Sequence, residues 1–274
     1  PEGGWLTDPA MIEKDQEEAL LNRIFPLWKS IAKGHTLPRP WSIGLVSYWQ
    51  VQDFDFESGS IKVGDLPEIE LDLSQVLTTI DTKTVGVKGG LWLLPFFNIT
   101  GTVGYTTTES AINLIGIPVA ITPPSPPNWE AEITYGEKLL ELDFTGPYFA
   151  VSGTIVGGWK RFFGSLTYSY ARADVEGSVS ALSKLTIKTE RVFPKFGYSF
   201  KGTSVWVGAQ WNEEETHQRG ELEDGFFYYD ILITKADWTP TVGMHTILGK
   251  HWEMTVEAGL GARTSAMWML GYRF

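Results

Sequence analysis

The residues best placed for chemistry lie near the carboxyl terminus. In "TPTVGMHTILGKHWEMTVEAGLG" a turn near 249–251 puts His245 on the same side as Glu253 and Glu257, and Arg273 falls on that side of the next segment. A histidine beside carboxylates is the raw material of general acid–base hydrolysis, or of a metal site. Charges enclosed in a narrow space usually pair with one another instead. The expectation is therefore a salt-bridge network, joined by the inward Lys88, with no catalytic residue, metal or cofactor.

Composition narrows the setting. The chain has 274 residues, 20% of them charged and 14% aromatic, with 29 Gly and 12 Trp. A net charge of −11 argues against nucleic acid, which needs clustered Lys and Arg. There is no Cys, so thiol chemistry and disulfides are excluded. The longest apolar run, "GGLWLLPFF", is far short of the ~20 residues of a membrane-spanning helix, so any membrane crossing must use strands. The chain starts at Pro with no signal-like stretch, which reads as a mature, processed or recombinant start.

Two segments are expected: a helical one over 1–38 and a β region over 39–274. Asp8 suits an N-cap and Pro9 the first helical position. Ile12, Leu20, Ile24, Leu27, Trp28 and Ile31 recur at helical spacing, with Pro26 as a break and Gly34 as a stop. From Trp41 onward the period becomes two. Val85, Val87, Leu91 and Leu93 oppose Thr84, Gly86, Lys88 and Gly90, and Phe162, Leu166, Tyr168 and Tyr170 oppose Ser165, Thr167 and Ser169. The non-apolar face is Gly, Ser, Thr and Asn rather than Lys and Glu. That suits a cramped lumen better than a water-exposed sheet. Aromatic residues gather near segment ends, as at membrane interfaces.

Counting such segments gives ten strands, with twelve as the alternative: 41–53, 82–94, 96–108, 147–158, 161–173, 186–200, 203–212, 238–248, 251–261 and 265–274. Short connections alternate with long ones at about 54–79, 108–146, 174–184 and 213–237. The acidic "NEEETHQRGELEDG" reads as a solvated surface loop, with His217 lacking an Asp partner.

The terminal "WMLGYRF" resembles the carboxy-terminal assembly signal of Gram-negative outer-membrane β-barrel proteins, with Phe274 last and Tyr272, Leu270 and Trp268 at alternate positions before it. The resemblance covers roughly 41–274 and implies an all-β, antiparallel, up-and-down transmembrane barrel, which the amphipathic helix read from spacing precedes. It implies residence in the outer membrane after export, contact with its lipids and lipopolysaccharide, and recognition by the assembly machinery. The expected function is a small-solute channel with a narrow lumen, occluded or gated by the N-terminal helix. The alternatives are a non-conducting anchor or adhesin presenting long loops, and a membrane-embedded hydrolase. The His-Asp-Ser-Asn-Gly stretch of outer-membrane phospholipases is absent, so no enzyme is expected.

Overall fold

The computed structural model describes residues 25–28, 30, 39–55, 58–63, 69–71, 77–113, 118–121, 131–134, 139–177, 184–222 and 227–274. Ile12, Leu20, Ile24, Ile31 and most of the helix expected around them lie outside the described residues.

In chain order the strands are β1 (Trp41–Asp55), β2 (Ser58–Val63), β3 (Ile69–Leu71), β4 (Leu77–Leu94), β5 (Phe97–Asn113), β6 (Pro118–Ile121) and β7 (Ala131–Thr134). There follow β8 (Leu139–Trp159), β9 (Phe162–Gly177), β10 (Lys184–Phe200), β11 (Thr203–Leu222), β12 (Phe227–Leu248), β13 (Trp252–Gly259) and β14 (Arg263–Arg273). Ten of them, β1, β4, β5 and β8–β14, pair antiparallel in sequence order, and β1 pairs with β14 to close the ring. The short strands add no wall: β2–β3 extends the far end of β12, and β6–β7 form a separate ribbon. The barrel therefore has ten strands, not twelve.

At the end where the chain enters the wall, the connections are tight. Lys201 and Gly202 both take positive φ (43° and 81°), the backbone of a two-residue hairpin turn that twists with the strands it joins. At the other end the strands run on. β8, β11 and β12 hold 21, 20 and 22 residues, about twice the 9–11 that cross a bilayer.

The excess length has a physical signature: on the long strands the outer face turns from apolar to charged partway along, and on β9 and β10 the inner face turns from polar to apolar. On β9 the outward residues run Phe162, Leu166, Tyr168 and Tyr170, then Arg172, Asp174 and Glu176; the inward ones run Ser165, Thr167 and Ser169, then Ala171, Ala173 and Val175. β10 repeats this in reverse order, with Phe196, Tyr198 and Phe200 outward below Glu190 and Lys188, and Leu185 and Ile187 inward above Thr189. On β11 outward Val205, Val207 and Trp211 give way to Glu213 and Glu215. Below the inversion Val103 is 64% exposed and Val207 62%. Above it Phe144 and Val175 are each 1% exposed, and they pack with Ala173, Leu185 and Ile187 inside the barrel. An apolar exterior over a polar interior suits hydrocarbon, and the reverse suits water. Outward Trp49, Tyr105, Tyr170, Trp211 and Trp238 stand at the change, where amphipathic rings belong.

This corrects the acidic-loop expectation. Residues 213–222 are strand, and Glu214 points inward at 4% exposure. Outward charges erased the apolar alternation there while the β11–β12 ladder continued unbroken.

Candidate functional site: the lumen

Among the described residues, polar side chains from every wall strand converge in the lumen. Nearest the tight turns, Glu253 of β13 holds two partners with one oxygen. Its Oε2 lies 3.0 Å from His245 Nε2 and 2.5 Å from Arg273 Nε. The neighbouring strand makes room through Gly271, where a Cβ would sit 2.9 Å from Glu253 Oε1.

One layer further in, a second network crosses the space. Glu257 accepts from Lys195 Nζ at 3.1 Å and from Gln210 Nε2 at 2.8 Å. Gln210 Oε1 in turn accepts from Arg263 Nη2 at 2.7 Å, and Arg263 Nη1 donates to Gln50 Oε1 at 3.2 Å. Arg263 is 1% exposed, the largest fully buried side chain among the described residues. Arg191 donates Nε to Asn212 at 2.6 Å and lies over the Tyr48 ring, 5.4 Å from its centroid. Because β10 and β1 stand five strands apart in a ring of ten, that contact spans the diameter.

Inward aromatic rings fill the wall beside this network by lying across glycines of the next strand. A Cβ on Gly197 would meet Phe163 at 2.5 Å, one on Gly208 would meet Phe193 at 2.7 Å, and one on Gly243 would meet Trp206 at 2.4 Å. Read from sequence alone, these glycines leave room for an inserted helix; in the structure rings of the same wall fill it. Lys195 Nζ sits over two of them, 3.9 Å from Phe193 and 4.8 Å from Trp206.

The opposite arc, β4–β9, is lined by hydroxyls that bond across the ladder. Thr84–Thr106 and Thr154–Thr167 are each 2.9 Å apart, and Thr100–Ser152 2.6 Å. These side chains are short, so space remains. A cavity of about 200 Å³ lies between this arc and the network, bordered by Lys88, Tyr48, Tyr148, Arg191, Ala150 and Glu214. Ala173 and Ile187 of the apolar layer also border it. A barrel of about eight strands is just filled by its own side chains, and ten leave this remainder.

Thus the structure brings His245, Glu253 and Arg273 together and places Glu257 in the neighbouring cluster with Lys195. Lys88 stands apart: among the described residues it makes no hydrogen bond or ion pair. Sequence reasoning did not single out Lys195, Arg191, Gln210 or Arg263, and it placed Glu214 in a solvated surface loop. The signal for the first two was parity, since both share the inward phase of Gly197 and Ser199. His217 also differs from expectation. Its Nε2 lies 2.7 Å from Asp230 Oδ1, and Arg219 Nε lies 2.9 Å from the other carboxylate oxygen, on the outer face above the inversion. The partner is 13 residues away in sequence but one strand away in space.

Of the expected helix face, Leu27 and Trp28 are described. The Leu27 N–H donates to the Leu93 carbonyl at 2.8 Å and Phe25 meets Trp41 edge-on at 5.8 Å, so this segment touches the rim at the tight-turn end. Trp28 is 63% exposed. Trp268, Leu270 and Tyr272 lie on the outward face of β14, with Phe274 just beyond it, and β14 is zipped between β1 and β13. Tyr272 stacks on His251 at 5.0 Å and meets Trp252 edge-on at 5.3 Å.

No protein-family model matches the chain, and no curated protein matches its sequence. Solved structures do. The outer membrane protein OprG from Pseudomonas aeruginosa is 11% identical, with 87% of this chain and 97% of that one covered and a TM-score of 0.46. The beta domain of the Bordetella autotransporter BrkA is 10% identical over 85% of this chain and 100% of its own, with a TM-score of 0.43. The transport unit of the Escherichia coli autotransporter AIDA-I is 9% identical over 93% and 95%, with a TM-score of 0.41. With its apolar belt, aromatic girdle, tight turns at one end and antiparallel closure, the chain has the architecture of an outer-membrane β-barrel.

Proposed function

We propose that the protein is a channel of the Gram-negative outer membrane that admits a small polar solute along the β4–β9 arc and is closed at rest. The observation that carries this reading is the asymmetry of the lumen. Ion pairs and rings fill the side formed by β10–β14, while the hydroxyl-lined side keeps a cavity of about 200 Å³. A wall built only to anchor would have no reason to keep its space on one polar arc. The N-terminal segment serves as the periplasmic half of the closure; the Leu27–Leu93 bond and the Phe25–Trp41 contact support its entry at that rim. Outer-membrane lipids contact the belt, and Trp268, Leu270, Tyr272 and Phe274 present the strand read by the assembly machinery.

No enzymatic role is proposed. At both His217 and His245 the carboxylate facing Nε2 is shared with an arginine, an arrangement suited to fixing charge. The second reading, a non-conducting anchor, is favoured by the apolar layer of Phe144, Val175 and Leu185 across the far end.

Planar-bilayer recording separates the two. The wild-type protein is expected to give small, brief openings, and Lys195→Ala, which removes the cross-lumen tie to Glu257, is expected to lengthen or enlarge them. A silent trace from both proteins, each shown folded by heat-modifiable gel migration, would leave the anchor reading in its place.

A further inference from the structure

Charge inside the barrel runs against charge outside it. Among the described residues six cations point inward, Lys88, Arg191, Lys195, Lys235, Arg263 and Arg273, against four carboxylates, Glu214, Asp237, Glu253 and Glu257. The lumen thus holds an excess of two positive charges in a chain whose net charge is −11.

Pairing places that excess. Lys195 is held by Glu257, Arg273 by Glu253 and Lys235 by Asp237, at 3.1, 2.5 and 3.7 Å. Lys88, Arg191 and Arg263 then remain, and Glu214 is the carboxylate that interacts with both arginines. The carboxylates that attract Lys88, Glu253 and Glu257, are both engaged in those pairs, and Lys195 repels it. Lys88, Arg191 and Glu214 border the cavity. Uncompensated positive charge in a confined, weakly screened space attracts an anion.

The rest of the cavity wall sets the anion's shape. Tyr48 and Tyr148 supply aromatic surface, while Ala150, Ala171, Ile187 and Met267 add aliphatic surface. Thr84, Thr102, Thr106 and Thr189 supply hydroxyls. At about 200 Å³ the space is smaller than the ~300–1,000 Å³ of drug-sized sites, and a water takes up ~30 Å³ of liquid.

We propose that the cavity is a binding site for a small organic carboxylate, its anionic end on Lys88 and Arg191 and its apolar body against Tyr48 and Tyr148. The site rests on the channel reading for its biological use and stands without it as a binding site.

Calorimetry in detergent micelles tests the binding without any current, with benzoate as probe, benzyl alcohol as its uncharged counterpart, and inorganic phosphate as an anion without an apolar body. Benzoate is expected to bind saturably. Lys88→Gln should weaken it at least about tenfold, the order of one lost charge-assisted contact. Ala150→Leu, which fills the cavity and keeps every charge, should weaken it as well. Benzyl alcohol and phosphate should bind more weakly than benzoate to the wild-type protein. The proposal is overturned by benzoate binding that survives both substitutions, by no benzoate binding at all, or by phosphate binding the more tightly. Retained Lys88-dependent binding with a silent bilayer would sink the channel reading alone; current without such binding would sink this site alone.

Discussion

The band of the barrel that meets lipid and the cap that rises above it are made from the same strands, yet the cap's outer face is charged where the band's is apolar, and an apolar cluster of β8–β10 lies inside it. In the band, Leu166 and Val207 face out while Glu257, Lys195 and Arg263 face in; in the cap, Asp174 and Glu213 face out while Phe144, Val175 and Ile233 face in. Backbone pairing does not notice the change: β9 and β10 stay in register from Tyr198↔Phe162 to Lys184↔Glu176. The solvent decides which side is greasy. What the difference teaches is that the strand supplies a wall and each level of the wall takes its chemistry from what lies outside it.

The comparison breaks most severely at the cap's interior. Phe144 packs against Val175, Leu185 and Ile187, and truncation to Ala leaves a cavity that the flanking strands cannot close, at a cost of about 3–5 kcal/mol. Urea unfolding in micelles should show the loss, and a change below about 1 kcal/mol would mean the cap contributes little packing. In the band's interior, Glu257→Ala strands Lys195 and leaves Gln210 without its acceptor, so roughly 3 kcal/mol should be lost there. A change of Glu257 that costs nothing would show that water already separates these groups.

On the outside the two levels should respond in opposite ways. Leu166, 50% exposed midway up the band, meets hydrocarbon, so Leu166→Arg should cost about 2–4 kcal/mol. In a water-facing position the same change would be nearly neutral. Glu213→Leu on the cap should therefore leave the unfolding midpoint close to wild type. Equal effects at Leu166 and Glu213 would contradict the placement of the membrane boundary between Tyr170 and Arg172.

The boundary also explains what was legible in the sequence. The strand ends read from alternation at 82, 108, 147, 173, 212 and 238 fall near the inversion rather than at the ends of hydrogen bonding, while those at 53 and 186 lie within two residues of the strand ends. Apolar alternation reports contact with lipid, so it stopped where lipid stopped. Strand count, closure and the facing of Trp268, Leu270 and Tyr272 were accessible because they lie inside the band. Of the lumen, the His245–Glu253–Arg273 group was accessible because β13 is joined to both neighbours by short turns. The tie from Lys195 to Glu257 crosses 62 residues, and the contact of Arg191 with Tyr48 crosses the ring; local spacing carries no trace of either. The rings over Gly197, Gly208 and Gly243 were hidden for another reason: a glycine looks the same in sequence whether it leaves a space or accepts a neighbour's side chain.

The smallest effect expected is at the cap's exterior. Above the membrane band, Arg172 donates Nε to Asp174 Oδ2 at 2.9 Å and Nη2 to Oδ1 at 2.8 Å, and Thr186 Oγ1 adds a bond at 3.1 Å. The hydrogen bond from Arg172 holds the Asp174 carboxyl below its ordinary value, with Thr186 helping and partial burial opposing. A carboxyl whose folded value is depressed binds its proton more readily in the unfolded chain. Its contribution to stability is then whole above the unfolded value and disappears as pH falls through the folded one. Both side chains are well exposed, at 40% and 49%, so water and salt weaken the pair. Asp174→Asn should accordingly lower the unfolding midpoint slightly at neutral pH and low salt, with the gap from wild type closing in acid and in high salt. A gap that widened in acid would mean that Asp174 is held by something other than Arg172, and that the outer surface of the cap does not behave as a surface in water.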